Sequence, residues 1–207
     1  MSLGGYNMLT EDDGIAAVKL ARNAIETYLE TGDMIDSSGF DLPSIFKESR
    51  GVFVTLNKDS NLRGCIGHPY PDSQLDNAII DSAISAATRD PRFPPVEPPE
   101  MDTITIEVTV LTQPEIIEVS PEELPEHVEV GKHGLIVKKG YYQGLLLPQV
   151  ATEQGFDSSE FLSHTCLKAG LSPDEWRRDA QVYCFEGQIF KENAPHGEVS
   201  EEDFEID

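Results

Sequence analysis

The strongest structural constraint in this sequence is a regular alternation of apolar and polar residues near the middle of the chain. The apolar positions are Ile104, Ile106, Val108 and Val110, and the polar positions are Thr103, Thr105, Glu107 and Thr109. Successive side chains of a β-strand point to opposite faces of a sheet, so the segment predicts a strand over Thr103–Leu111 with one buried face. One buried and one polar face are typical of antiparallel sheets.

The remaining pattern mixes helices with further strands. The stretch after Thr10 has apolar residues at helical spacing and opens with a capping box in which an acid replaces the usual Glu. Strands are predicted at Val52–Leu56, at Leu62–Gly67, at Leu135–Val137 with Leu145–Leu147, and at Gln181–Phe185 with Gln188–Phe190. Further helices are predicted over residues 75–87, over residues 161–169 and after Ser172. The fold class is therefore α+β, with mostly antiparallel sheets and packed helices.

Charge and length limit the classes of function. The chain has 207 residues and a net charge of −23, which suits one domain or two intimate subdomains. Such a negative chain is a poor ligand for nucleic acid or for an anionic membrane, because both bind Lys and Arg. The last ten residues, 198–207, contain six acids and predict an acidic tail that is flexible or forms a fraying edge.

The N-terminus and the cysteines point to a cytoplasmic protein. The first residues, Met1–Leu3, resemble a segment added for expression, and no signal-peptide pattern follows them. The cysteines are Cys65, Cys166 and Cys184, an odd number that does not suit a disulfide framework. Neither a glycine-rich phosphate loop nor a dinucleotide fingerprint is present, so no cofactor is expected.

Several ordered blocks of the chain resemble the AMMECR family, which takes its name from a human chromosomal region linked to Alport syndrome and elliptocytosis. The first block is the segment Leu62-Arg63-Gly64-Cys65-Ile66-Gly67, which we call the signature segment. The other blocks are Asp90–Phe93 with Pro95-Val96, Ile106–Leu111 with Pro114-Glu115, Leu145–Ala151, and Phe161–Leu171. Five blocks in order span most of the chain, so the resemblance covers residues 1–207 as one AMMECR-type domain.

The resemblance implies a fold in two unequal parts, the larger of which contains both chain ends. It implies no settled biochemical activity. Some relatives occur beside Memo-like and radical-SAM-type proteins, and the resemblance therefore suggests a protein partner in a shared pathway. This is an association, and it carries no mechanism by itself.

Cys65 is the first candidate for chemistry. Gly64 and Gly67 flank it, so a ligand can approach the backbone closely. On a strand, Arg63 shares a face with Cys65, and a nearby guanidinium favours the reactive thiolate. His68 is a candidate base. The alternative is that Cys65 is a small buried residue at the end of a strand.

Glu107 is the second candidate. It lies on the polar face of its strand, where it either points into a cleft and pairs with an arginine such as Arg63 or Arg92, or faces solvent. Arg92 itself either forms a bidentate clamp with Asp90 or joins Arg63 in an anion site. We expect Arg63, Cys65 and Glu107 to converge on one cleft bordered by the Arg89–Phe93 loop.

These residues define two hypotheses. In the first, the chain binds a small anionic ligand through Arg63, Gly64, Gly67 and Arg92, and Cys65 and Glu107 are the catalytic residues if the site is enzymatic. In the second, the chain is a non-catalytic protein-interaction module. A zinc site built from Cys65, His68, His164 and Cys166 is disfavoured because residues two apart on a helix face different sides, which predicts a buried Cys166 and an exposed His164. No metal site is therefore expected.

Overall fold

The structure is a computed structural model that describes residues 8–202. Its helices are α1 (Glu11–Thr31), α2 (Leu75–Thr88), α3 (Pro148–Gln154) and α4 (Ser158–Lys168). Its strands are β1 (Val52–Lys58), β2 (Asn61–His68), β3 (Ile104–Leu111), β4 (Glu115–Ile116), β5 (Gly134–Lys139), β6 (Tyr142–Leu146), β7 (Gln181–Phe185), β8 (Gly187–Glu192) and β9 (Val199–Glu202). Among the described residues, no helix combines the length and apolar composition needed to cross a membrane.

The strands form two antiparallel sheets, which confirms the predicted α+β class. The first sheet has the order β2-β1-β3-β8-β9 and the second has the order β4-β7-β5-β6. The described chain divides into a larger unit, residues 8–111 with 188–202, and a smaller unit, residues 112–187. The larger unit therefore contains both ends of the described chain. The assignment of one domain to residues 1–207 stays a prediction.

The strand that dominates the sequence pattern is at the centre of the larger unit. β3 lies between β1 and β8, and its apolar residues Ile104, Ile106 and Val108 are fully buried. They form one hydrophobic core with the buried residues of helices α1 and α2. Thr105, Glu107 and Thr109 alternate with them and are half-buried. We call the face of the sheet that carries these three residues the polar face.

Helix α1 begins as the sequence predicts. The hydroxyl of Thr10 accepts a hydrogen bond from the Asp13 amide, and the Asp13 carboxylate accepts one from the Thr10 amide, which completes a capping box. The helix ends at Gly32, whose φ of 80° is in the left-handed region. Part of the predicted acidic tail is ordered as well, because Val199–Glu202 pairs with β8 as the last strand of the sheet. Residues 203–207 lie outside the described residues.

The smaller unit confirms the predicted burial of two cysteines. Cys166 on α4 and Cys184 on β7 are both fully buried. Burial raises the pKa of the Cys166 thiol, and His164 is exposed and stacks on Phe156. The helix predicted after Ser172 is a single 3₁₀ turn, Glu175–Arg177, and β7 begins at Gln181.

Candidate functional site

The signature segment lies in β2, at the edge of the larger sheet, and a loop covers that edge. The Cys65 amide donates a hydrogen bond of 2.9 Å to Asp90 Oδ2. The Cys65 carbonyl accepts one of 3.2 Å from Arg92 Nη2. Two side chains of the loop after α2 thus satisfy backbone groups that would pair with another strand inside a sheet.

Asp90 and Arg92 form the clamp that the sequence suggests. Arg92 Nε and Nη2 donate to the two Asp90 carboxylate oxygens at 2.9 and 2.6 Å. Hydrogen bonds from Arg92, and further ones from the Cys65 and Arg92 amides, hold the pKa of Asp90 well below its usual range. The pKa of Arg92 is raised, mainly by Asp90 and further by the neighbouring Cys65 thiol. The Arg92 guanidinium therefore lies beside the backbone of Cys65, whose carbonyl accepts its hydrogen bond.

Arg63 has a different partner from the one expected. Its Nε and Nη2 donate to the Glu100 carboxylate at 3.2 and 3.0 Å, and its Nη1 donates to the Pro94 carbonyl at 2.9 Å. The hydrogen bonds from Arg63, and then from Lys58, lower the pKa of Glu100 to about 2. The expected pair between Arg63 and Glu107 is therefore wrong.

A β-bulge explains why Arg63 leaves the expected pairing. Gly64 is opposite Leu56 and Leu62 is opposite Asn57, so Arg63 is an extra residue without a partner on β1. Bulges redirect the side chain that they carry. Here the Arg63 side chain contacts the loop at the sheet edge, and the predicted convergence of Arg63, Cys65 and Glu107 on one cleft does not include Arg63.

The polar face does bring Cys65 and Glu107 into one row. Cys65 is opposite Thr55 across β2 and β1, and Thr55 is opposite Glu107 across β1 and β3. The Thr55 hydroxyl donates to Cys65 Sγ at 3.2 Å. Neighbouring strands are roughly 4.8 Å apart, so about 10 Å separates the Cα atoms of Cys65 and Glu107. A thiol and a carboxyl thus flank a small threonine.

Glu107, at the other end of this row from Cys65, is half-buried. Burial raises the pKa of its carboxyl, while the positive charge of Lys191 opposes that shift and the negative charge of Glu202 adds to it. A carboxyl with a raised pKa holds its proton closer to neutral pH and is suited to give or take one. Cys65 is partly exposed.

Gly64 and Gly67 are packed closely by their neighbours. A Cβ on Gly64 would lie 2.2 Å from the carbonyl oxygen of Ala86 on α2, so α2 approaches the strand backbone directly. A Cβ on Gly67 would lie 2.4 Å from the Phe53 ring. Both glycines therefore have a packing role, and their ligand-binding role stays a prediction.

His68 is not placed to act as a base for Cys65. It lies three residues along the strand, so it faces the side opposite the thiol. There its Nδ1 lies 3.0 Å from Ser82 Oγ and its Nε2 lies 3.3 Å from Asp81. In the described part of the chain, no group of three or more His, Cys, Asp or Glu side chains is arranged to hold a metal ion.

Two residues that act on Cys65 or Glu107, Thr55 by a hydrogen bond and Lys191 by its charge, were not singled out from the sequence. Thr55 and Lys191 each belong to an alternating strand pattern, and nothing in either pattern distinguishes a site residue from any other residue of the polar face. Their importance comes from the strand order, which places β1 between β2 and β3 and places β8 beside β3. That order depends on contacts between residues far apart in the chain.

Comparisons with known proteins agree with the resemblance in the sequence. A protein of Methanosarcina mazei is 67% identical over 199 residues, which cover 95% of this chain and 100% of that protein. A protein of Methanothermobacter thermautotrophicus is 54% identical over 190 residues, 91% of this chain and 98% of that protein. The crystal structure of an uncharacterised protein from Pyrococcus horikoshii matches with a TM-score of 0.78 and 49% identity, covering 94% of this chain and 98% of that chain. The sequence model of the AMMECR1 family matches residues 18–190. The chain belongs to the AMMECR1 family.

Proposed function

We propose that the polar face of the larger sheet binds a small anionic carbonyl compound in the cytoplasm, and that Cys65 forms a reversible covalent bond with it. The observation that carries this proposal is the row Cys65–Thr55–Glu107 across three strands. It places a partly exposed thiol and a carboxyl with a raised pKa on the same face, on either side of Thr55.

The proposed step adds the thiol across a carbonyl group. Cys65 Sγ gives up its proton and forms a bond to the carbonyl carbon, and the π electron pair moves onto the carbonyl oxygen. The Glu107 carboxylic acid donates a proton to that oxygen and regains the proton that the thiol released. The product is a hemithioacetal, and the step needs no oxidant or reductant.

Arg92 is the residue that we assign to the anionic group of the ligand. Arg63 is unsuited to this role, because its hydrogen bonds go to Glu100 and to the carbonyls of Pro94 and Pro95. The Arg92 side chain is 53% exposed. Its hydrogen bonds to the described residues come from Nε and Nη2, so Nη1 is available to a ligand. An exposed guanidinium nitrogen next to the residue that carries the thiol suits a carboxylate.

The test is the alkylation rate of each cysteine in the native protein, measured by peptide mass spectrometry after iodoacetamide treatment. We expect Cys65 to react at least about tenfold faster than Cys166 and Cys184, because both of these are fully buried. Glyoxylate, which carries an aldehyde and a carboxylate, should protect Cys65, and acetaldehyde should protect it less.

Two variants locate the effect. Arg92→Ala should reduce the protection by glyoxylate to the level of acetaldehyde, whereas Arg89→Ala is a matched control because Arg89 pairs with Asp81 and Ser85. Glu107→Gln should weaken the protection by both aldehydes, whereas the exposed Glu118→Gln should not. Equal labelling of all three cysteines, or no protection by glyoxylate, would contradict the proposal.

A second candidate function is the binding of a protein partner by the smaller unit. Tyr141 is fully exposed, Tyr142 is 58% exposed and Leu167 is 50% exposed. β6 packs against α4, and Tyr142 lies next to Gly170, so Tyr142 and Leu167 belong to neighbouring elements. Exposed tyrosines of this kind are frequent at protein interfaces. The signature segment is less suited, because Asp90 and Arg92 already occupy its backbone.

The family resemblance suggests Memo-like and radical-SAM-type proteins as partners to test. Titration calorimetry with purified proteins of both types should show binding that the double variant Tyr141→Ala/Tyr142→Ala weakens at least about tenfold. The exposed Met34→Ala variant in the larger unit is the control. Binding that is unchanged in the double variant would exclude this surface.

A further inference from the structure

A cavity of about 680 Å³ lies within the larger unit, at the end of the sheet beyond the row of Cys65. Three turns surround it. They are the β1–β2 turn with Asp59 and Ser60, the start of β3 with Asp102 and Thr103, and the segment after β8 with Asn193–Pro195. Its floor includes Asn57, Thr105 and Lys191 from neighbouring strands. Cavities of this volume commonly hold small molecules.

The charges at the cavity oppose an anionic ligand. Asp59 and Asp102 contribute carboxylates to its lining, whereas the carboxylate of Glu192, which also lines it, is paired with Arg22. The ammonium group of Lys191, which also lines it, is already bound to Glu202 at 3.0 Å. A phosphate or carboxylate entering the cavity would meet more negative than positive charge. The cavity therefore differs in its chemistry from the site beside Arg92.

The uncharged polar groups at the cavity suit hydroxyl groups. Asn57 supplies an amide and Ser60 a hydroxyl, and no hydrogen bond from either side chain to the rest of residues 8–202 competes for them. Each can donate and accept at the same time, as a hydroxyl group does. A carboxylate such as Asp59 or Asp102 only accepts, and it can receive hydrogen bonds from two neighbouring hydroxyls.

The backbone conformation at one rim of the cavity supports a binding role for the side chains there. Asp59 and Ser60 have φ values of 50° and 61°, in the left-handed region, although glycine adopts this conformation without strain. A two-residue turn between antiparallel strands commonly has Asn-Gly or Asp-Gly. Residues with a strained backbone occur more often at binding sites than elsewhere.

We propose that this cavity binds an uncharged polyhydroxylated small molecule, of the class of a sugar or a cyclic polyol. The paired donors and acceptors of Asn57 and Ser60 would bind its hydroxyl groups, and Asp59 and Asp102 would accept from neighbouring hydroxyls. This inference goes beyond the proposed function, because none of these side chains takes part in the chemistry of Cys65.

The proposal is tested by saturation-transfer NMR and titration calorimetry on the whole protein with D-glucose, D-ribose and myo-inositol as separate probes. We expect saturable binding of at least one of them, and binding at least about tenfold weaker for gluconate or ribose 5-phosphate, because the carboxylates repel these anions. Saturable binding of none of the three uncharged probes would overturn the proposal, as would tighter binding of the anions.

The double variant Asp59→Gly/Ser60→Gly separates binding from folding. Glycine relieves the left-handed backbone strain, so the variant should melt at the same or a higher temperature while its affinity for the bound probe falls at least about tenfold. Thr109→Val, on the polar face outside the cavity, and Cys65→Ser should leave the affinity unchanged. Unchanged affinity in the glycine variant would overturn the proposal. Loss of binding in Cys65→Ser would also do so, since it would place the probe at the thiol.

Discussion

At the scale of single residues, the signature segment contains positions that pack and one position, Cys65, that we propose to be reactive. Gly64 allows α2 to lie against the strand, and Arg63 holds residues 94–100 through its bonds to Pro94 and Glu100. Cys65 is held through its backbone amide and carbonyl, while its thiol lies on the polar face and accepts a hydrogen bond from Thr55. Most residues of the signature segment thus pack or form hydrogen bonds that position Cys65.

The packing role of Gly64 leads to a stability prediction. In Gly64→Ala the new methyl group would overlap the Ala86 carbonyl, a backbone atom that cannot move alone, so unfolding in urea should show a loss of about 2 kcal/mol or more. Gly39→Ala is the control, because nothing lies within 4 Å of its Cβ position. Equal stability of both variants would contradict the close approach of α2.

The hydrogen bond from Thr55 leads to a prediction for reactivity. Thr55→Val keeps the shape of the side chain but removes the hydroxyl that donates to Cys65 Sγ. A donor stabilises the negative charge on sulfur, so the alkylation of Cys65 at neutral pH should slow about threefold, as expected for a neutral hydrogen bond of roughly 0.7 kcal/mol. Thr109→Val should leave the rate unchanged, and a faster reaction in Thr55→Val would show that the hydroxyl shields the thiol.

At the scale of elements, a buried ion pair joins α1 to β8. Arg22 donates to Glu192 through Nε and Nη2, each at 2.6 Å, and to the Ile104 carbonyl at 2.7 Å. Glu192 also accepts a hydrogen bond from the Ile106 amide. The pair therefore fixes the helix to two neighbouring strands of the sheet.

Breaking this pair should be costly. Arg22→Leu leaves the Glu192 carboxylate buried without its main partner, which typically costs about 3–5 kcal/mol. Lys132→Ala removes a surface pair with Glu129 and Glu186 and should cost at most about 1 kcal/mol. Unfolding in urea measures both. A cost for Arg22→Leu within the range of the surface variant would show that solvent reaches Glu192.

The same scale shows what the sequence could predict. Alternation located β3, and helical spacing with the Thr10 cap located α1, because these signals are local. The partner of Arg63 could not be predicted, because a one-residue bulge against β1 redirects its side chain without leaving a local signal. The side of His68 follows from strand alternation, but the Ser82 and Asp81 that bind it are known only from the position of α2.

At the scale of the whole molecule, the carboxylates that hold the signature region make stability depend on acid. The pKa values of Asp90 and Glu100 are lowered from 3.8 and 4.5, that of Glu100 to about 2. A lowered pKa in the folded state means that the unfolded chain binds protons more readily. The stabilisation is therefore fully present above about pH 5 and is lost as the pH falls from there towards 2.

Urea unfolding at several pH values checks this prediction. The free energy of unfolding should fall between pH 5 and pH 2, and the fall should be smaller in Glu100→Gln, which has no proton to bind at this position. Glu118→Gln, at an exposed position that does not contact Glu100, is the control. An identical pH dependence of Glu100→Gln and the unchanged protein would contradict the linkage.

The loop that occupies the edge of β2 also affects how readily this protein aggregates at high concentration. An uncovered edge strand is a template on which other chains add and aggregate. At this end of the sheet, Asp90 and Arg92 cap the exposed Cys65 amide and carbonyl, and at the other end β9 carries Glu201 and Glu202. Asp90 and Arg92, which hold the backbone of Cys65, thus also keep other strands from adding at this edge. Weakening their clamp should therefore increase aggregation while it makes Cys65 more accessible.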